Sequence, residues 1–310
     1  MSLKLEYSHS KTYNFGDNLN PWLWPKLLGG ILGESQGAYF LGIGTILTER
    51  LINEKLAGAQ KIVIFSSGVW GHSLPTLTDN CDVYGVRGPR TAKYLGLAEE
   101  LVVGDGAYLL TQVSYPKAQK VKGKVAFIPH HKSEDYIDWN DICTKLGITF
   151  ISAKQPVEDF LLQIQECEYV IAEAMHGAIT ADVLRIPWIG VTFSPLFEKE
   201  KWFDFAEAMK LELNLQALPF TSSYKLPMFK NIEHVIRKKS SVFFKHKIKW
   251  KNLPVIWRRS SKHNVLALED KLTELKESSL WQLSRQEDFD FICQKQAKTL
   301  DKLKSDFSES

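Results

Sequence analysis

Between Gly37 and Val191 the chain alternates short apolar runs, rich in β-branched and aromatic residues, with stretches of helical spacing. The runs are "AYFLGIG", "KIVIFSSG", "DVYGV", "ELVVGD", "KVAFIPHH", "GITFIS", "EYVIAEA" and "PWIGV". They are continuous rather than alternating, which is what strands need when helices cover both faces of a parallel sheet. The pattern therefore predicts an α/β fold. Residues 111–124, "TQVSYPKAQKVKGK", lose the periodicity and gain Pro, Lys and Gly, as a linker does. This divides the chain into a first domain at 1–115 and a second at 120–230, two doubly wound units facing across a cleft. Beyond them, residues 231–310 read as a basic, aromatic and mainly helical C-terminal extension, with solvated helix faces from Val265 to Phe307.

Composition adds little to this picture, whereas charge adds one feature. The 310 residues, 44% hydrophobic and 24% charged, suffice for two buried cores. No apolar run reaches the roughly 18 residues of a membrane span, and the first residues lack the apolar middle of a secretion signal, so the expected location is cytoplasmic. Cys81, Cys143, Cys167 and Cys293 are too widely spaced for a zinc motif or a disulfide framework. The net charge of +3 conceals ten Lys and Arg, with no Asp or Glu, between Arg237 and Lys262, leaving −7 on the rest of the chain. That segment reads either as a solvated charged face or, given Phe243, Phe244, Trp250 and Trp257 among the cations, as contact with an anionic membrane.

The residues that carry chemistry gather where apolar runs end. Asn14, Gly16, Asp17 and Asn18 form a turn ahead of "LNPWLWPKLL", a helix expected to hold Pro21 in its first turn. They either cap that helix or hold a sugar or phosphate beside its amides. Gly42, Gly44 and Thr45 follow one run, and Ser66, Ser67, Gly68 and His72 the next. Arg87 ends "DVYGV", and Gly88 to Thr91, with Arg90, open a helix. A guanidinium beside helix amides suits a phosphate or carboxylate; the other reading is an arginine that ties the domains by an internal ion pair. Asp105 could orient that arginine or act as a base. His130 and His131 follow "VAFIP"; adjacent residues of a strand face opposite ways, so one alone, His130, is expected in the site. Glu173 and His176 stand between a strand and the helix that runs to Pro187, at the kind of junction that lines the crevice of open α/β sheets.

In this order, "NFGDNLNPWLW", "GIGTIL", "SSGVWG", "YGVRGPRTAKYLGL", "GDGAYLL", "IPHH" and "EAMHGAITADVLRIPW" resemble the polysaccharide pyruvyltransferases, most closely the succinoglycan-type exopolysaccharide branch. The resemblance implies two Rossmann-like domains similar to the B-type glycosyltransferases. It also implies phosphoenolpyruvate as donor, no cofactor or metal, and a pyruvate ketal across two hydroxyls of a sugar. On this basis His176 is the acid or donor-contacting histidine, and His130 or Asp105 the base. Arg87, Arg90, Gly44, Thr45 and Glu173 fall to the donor, and Asn14, Asp17 and Asn18 to the acceptor. One departure stands out: where many members carry Ser-x-Arg-x-His, this chain has Ala172, Ala174 and His176, and Arg185 or Lys132 is expected to stand in for the missing cation.

The implied partners are a sugar acceptor on a lipid diphosphate and the inner face of the cytoplasmic membrane, met through residues 237–262. Two rival readings remain at the level of sequence. The first is a B-type glycosyltransferase using a nucleotide sugar, although no motif announces a base pocket. The other is a protein that binds an anionic glycan or nucleic acid through the basic stretch; nucleic acid is not expected.

Overall fold

A computed structural model of the chain describes residues 2–9, 12–69, 73–195, 197–222 and 260–308. They form two parallel sheets covered by helices. The first sheet holds β1 (Lys4–Glu6), β2 (Ala38–Leu41), β3 (Lys61–Ser67) and β4 (Cys81–Val86) in simple sequential order. The chain passes from β1 to β2 through α1 (Phe15–Leu28), from β2 to β3 through a π-helical turn at Arg50–Lys55, and leaves β4 into α2 (Pro89–Leu95). The second sheet is built from β5 (Val125–Ile128), α3 (Trp139–Lys145), β6 (Thr149–Phe150), α4 (Val157–Gln165), β7 (Tyr169–Ala172), α5 (Met175–Val183), β8 (Trp188–Thr192), α6 (Lys199–Ala208) and β9 (Gln216–Ala217). Its order is β6-β5-β7-β8-β9, so the winding reverses between β5 and β7. That reversal opens a crevice at the carboxyl ends of these two strands.

The apolar runs mark the strands well, with one exception. "ELVVGD" forms no strand: Val102 makes a single bridge to Val86, and Gly104, at φ +84°, turns the chain away before Asp105 caps the 3-10 helix Gly106–Gln112. β1 and β9 were not expected, being too short to show as apolar runs. α1 begins earlier than expected, with Asn14 at its N-cap, and contains both Pro21 and Pro25. Pro21 cannot donate to the carbonyl of Asp17; the Asn20 side chain does so instead, at 3.1 Å, and the helix continues.

The helical tail is part of the folded body. In α7 (Lys262–Glu277), Leu268, Leu272 and Leu275 share one face and are buried against Ile142 and Phe193. In α8 (Gln286–Ser308), Phe289, Ile292, Leu300 and Leu303 enter the main core, and Tyr84 of β4 donates to Asp306 at 2.7 Å. These apolar stripes are sparse among Glu, Lys and Gln, which is why the tail reads as solvated in sequence. The basic residues 237–259 lie outside the described residues.

The two sheets share one core: α1 contributes Phe15, Leu19, Leu23 and Trp24, and Phe15 stacks on Phe160 of α4 with centroids 3.9 Å apart. Polar ties reinforce it. The amide of Phe15 donates to Ala153 at 2.8 Å, and Tyr108 donates to Asp182 of α5 at 2.7 Å. Arg87 Nε meets Asp204 of α6 at 2.9 Å, both buried; the same carboxylate accepts from the Thr91 amide at 2.9 Å and the Thr91 hydroxyl at 2.7 Å. Gly88 is required there, because a Cβ would collide with Asp204.

Breaking such a buried pair leaves a guanidinium uncompensated, at a cost of about 3–5 kcal/mol. Asp204→Ala should therefore lower the unfolding free energy in urea by that amount. Arg90→Ala, which removes half-exposed pairs to Glu200 and Glu207, should cost about 1 kcal/mol or less. Equal effects would contradict the greater weight of the buried pair.

Candidate active site

A cavity of about 330 Å³ lies between the sheets, at the crevice between β5 and β7. From the first sheet it takes Asn14, Gly16 and Asp17 of the α1 start, and Gly44 and Thr45 after β2. The second sheet supplies His130, His131 and Lys132 after β5, Glu173 to Gly177 after β7, and Glu198 and Lys201 around the start of α6.

His176 stands in the first turn of α5 and is held from both sides. Its Nε2 is buried and lies 3.6 Å from Oδ2 of Asp105, whose side chain is fully buried. Asp105 is fixed in turn, Oδ1 accepting from the Ala107 amide at 3.0 Å and its carbonyl from Gln296 at 2.7 Å. Burial raises the Asp105 pKa, but the imidazole of His176 and the guanidinium of Arg87 outweigh it, so the carboxyl stays below its ordinary value. On its other side the His176 ring lies against Gly16, where a Cβ would fall within 3.0 Å of ring atoms including Nδ1. With Nε2 turned to Asp105, Nδ1 is the nitrogen left to serve a ligand. Asp105, read from sequence as a possible base, does not line the cavity; it is placed to orient His176.

His130 and His131 both line the cavity, against the expectation of one. β5 ends at Ile128, so the alternation of a strand no longer applies, and the two rings sit 4.2 Å apart. Nδ1 of His130 accepts from the Lys132 amide at 3.3 Å, which leaves the proton of the neutral ring on Nε2. Burial, followed by the nearby charge of Lys201, pushes the His130 pKa well below the ordinary histidine value. Burial and Lys132 bring His131 down to about 4. Both rings are therefore neutral near pH 7.

Glu173 is buried and its carboxylate is fully engaged. It accepts from the amides of His130 at 3.0 Å and Ser194 at 2.8 Å and from the hydroxyl of Ser133 at 3.0 Å, tying together the loops that follow β5, β7 and β8. Asn14 donates to Asp17 at 2.9 Å, and burial raises the Asp17 pKa. Asn18 turns back to the Asn14 carbonyl and does not reach the cavity.

The arginines go elsewhere. Arg87 sits behind the wall, on Asp204 and, at 2.8 Å, on the Thr45 hydroxyl; the anion that the sequence suggested for this arginine and the amides of α2 is a carboxylate of the protein itself. Arg90 of α2 lies against α6, paired with Glu200 and Glu207 and stacked on Phe203. Arg185 binds Ser284 and covers Phe289. Lys132 alone of the two proposed stand-ins borders the cavity, and His72 lies outside the described residues. Gly16, read from the sequence as part of the turn with Asn14, Asp17 and Asn18, lines the cavity. Sequence reasoning missed Lys201, which, within "FEKEKWFDF", carries no signal that separates it from a solvated helix face.

Residues 56–195 match the polysaccharide pyruvyl transferase family. Over 222 residues the chain is 33% identical to the succinoglycan biosynthesis protein ExoV of Rhizobium meliloti, covering 71% of this chain and 69% of that one. A functionally uncharacterised Klebsiella pneumoniae protein of known crystal structure aligns with 69% of this chain and 92% of its own, at 18% identity and a TM-score of 0.40, too distant to inform the site. The extent of the match to ExoV and the family match, which takes in the loops after β5 and β7, agree: the chain belongs to the polysaccharide pyruvyl transferase family and is a pyruvyltransferase.

Proposed function

We propose that the enzyme moves the pyruvyl group of phosphoenolpyruvate onto two hydroxyls of one sugar in an exopolysaccharide of the succinoglycan kind, or in its precursor, closing a ketal and releasing phosphate. The observation that carries this reading is His176, lining a cavity that both sheets border, with Asp105 buried behind it. We read the two sheets as two Rossmann-like units in the manner of B-type glycosyltransferases, with the donor between them.

The chemistry needs an acid aimed at carbon. His176 gives a proton from Nδ1 to the methylene carbon of the donor, which becomes a methyl group, and the adjacent carbon takes on oxocarbenium character. Asp105 stabilises the charged imidazole from the opposite side, as a buried carboxylate does for a catalytic histidine. The first sugar hydroxyl adds to that carbon and returns a proton to the site. Phosphate then leaves, and the second hydroxyl closes the ring, its proton departing with the phosphate. Neutral His130, with Nε2–H directed by the Lys132 amide, serves as a hydrogen-bond donor to substrate, and Asn14 and Asp17 face the acceptor.

The same reading extends to the acceptor's location. The ten cations of residues 237–262 support docking at an anionic membrane surface, where lipid-diphosphate-linked sugar repeats are assembled.

Two measurements test these points. Phosphate release from phosphoenolpyruvate with exopolysaccharide-repeat oligosaccharides, run in D₂O, should give a ketal whose methyl group carries one deuterium. His176→Ala should lower kcat by on the order of 10²–10⁴, the ordinary contribution of a general acid, and Asp105→Asn and Gly16→Ala should each follow in the same direction. Retention of more than a tenth of the activity by His176→Ala would overturn the role of that histidine. Separately, sedimentation with phosphatidylglycerol-containing vesicles should be lost when the cations of 237–259 are changed to Gln; unchanged binding would remove the membrane proposal.

A further inference from the structure

A donor with a phosphate and a carboxylate carries about three negative charges, and the cavity must supply cations to meet them. The residues that border it include the acids Asp17, Glu173 and Glu198, and two of its histidines are neutral. The arginines that sequence offered are spent on Asp204, on Glu200 and Glu207, and on Ser284. What remains in the lining is Lys132, which is exposed, and Lys201, which is partly buried.

Lys201 is the third residue of α6, in a helix first turn, where a cation opposes the helix dipole. Among the described residues no hydrogen bond or ion pair holds its ammonium. Its surroundings come from every element around the cavity. Arg87, at the end of β4, repels it; Glu198 before α6, Asp17 of α1 and Glu173 after β7 attract it; and it in turn acts on His130 and His131 after β5. A cation placed against its helix, short of water and lacking a partner, is one whose partner arrives with the ligand.

We infer that Lys201 is the cation that binds an anionic group of the donor, supplying from α6 the charge that the family pattern places two residues before the histidine and that Ala174 lacks here. The inference rests on phosphoenolpyruvate being the donor. It makes Lys201 a specificity residue, reached through tertiary structure rather than through the motif around His176. One consequence is dependence on pH. Burial, then the charge of Arg87, brings the Lys201 pKa down to about 8. The free enzyme therefore loses this charge as pH rises through about 8. A bound anion favours the protonated form, so kcat does not share the fall.

The experiment is steady-state kinetics of the full-length enzyme from pH 6 to 9.5, with thermal melting as a check on folding. Wild type should show a fall in kcat/KM for phosphoenolpyruvate above pH about 8 over and above any change in kcat at the same pH. Lys201→Met should raise the donor KM about 10- to 100-fold, the usual effect of losing a charged hydrogen bond. In this variant kcat and the acceptor KM should stay within about fivefold, and the break near pH 8 should disappear. Lys201→Arg should restore a low donor KM with no break. A folded Lys201→Met with the wild-type donor KM overturns the inference and leaves the donor assignment standing. Should wild type fail to turn over phosphoenolpyruvate, the donor assignment fails instead. Inorganic phosphate, titrated calorimetrically into wild type and Lys201→Met, then decides: a tenfold loss of affinity upholds Lys201 as the anion-binding cation, and equal affinity overturns it.

Discussion

A carboxylate removed from water needs a partner, and in this protein three buried aspartates find theirs across the gap between the sheets. Asp105 follows the first sheet and meets His176 of α5. Asp182 of α5 accepts from Tyr108, which follows the first sheet, and from the Ser284 amide at 2.9 Å and hydroxyl at 2.6 Å. Asp204 of α6 takes Arg87 and Thr91. An unpaired charge at any of these points costs several kcal/mol, so the pairs dictate where α5 and α6 stand relative to the first sheet. The cavity is the space left between elements fixed in this way.

The same ties determine what the cavity can do. Arg87 is consumed in holding α6, yet its field still reaches Asp105 and Lys201. With the His176 imidazole, the larger influence, it keeps the aspartate ionised, and after burial it makes the lysine reluctant to carry charge until an anion arrives. Burial keeps His130 and His131 neutral. A site made this way offers a paired histidine for proton transfer and, in Lys201, a conditional cation, while the arginines are spent elsewhere.

Much of the architecture was legible in the chain. Continuous apolar runs located the interior strands, and the residues at strand ends or helix starts, Asn14, Asp17, Gly44, Thr45, His130, Glu173 and His176, all line one cavity. The failures have physical causes. Arg87 looked like an anion site because the sequence does not reveal that Asp204, 117 residues later, fills it. His131 was assigned the far side by a strand rule that stops applying when β5 ends. α7 and α8 bury few residues per turn, and Lys201 owes its character to burial and to Arg87, Asp17 and Glu173, which are distant in sequence, together with Glu198 three residues before it.

The central claim is that Asp105 fixes the His176 ring with Nε2 inward, leaving Nδ1 to act on the donor. Nitrogen-15 NMR of histidine-labelled enzyme, with His176 assigned through His176→Gln, tests it most directly. The account predicts that the neutral ring carries its proton on Nε2, that Asp105→Asn disturbs this tautomer, and that phosphoenolpyruvate shifts the Nδ1 resonance. A ring protonated on Nδ1, or an Nδ1 resonance indifferent to the donor, would contradict it.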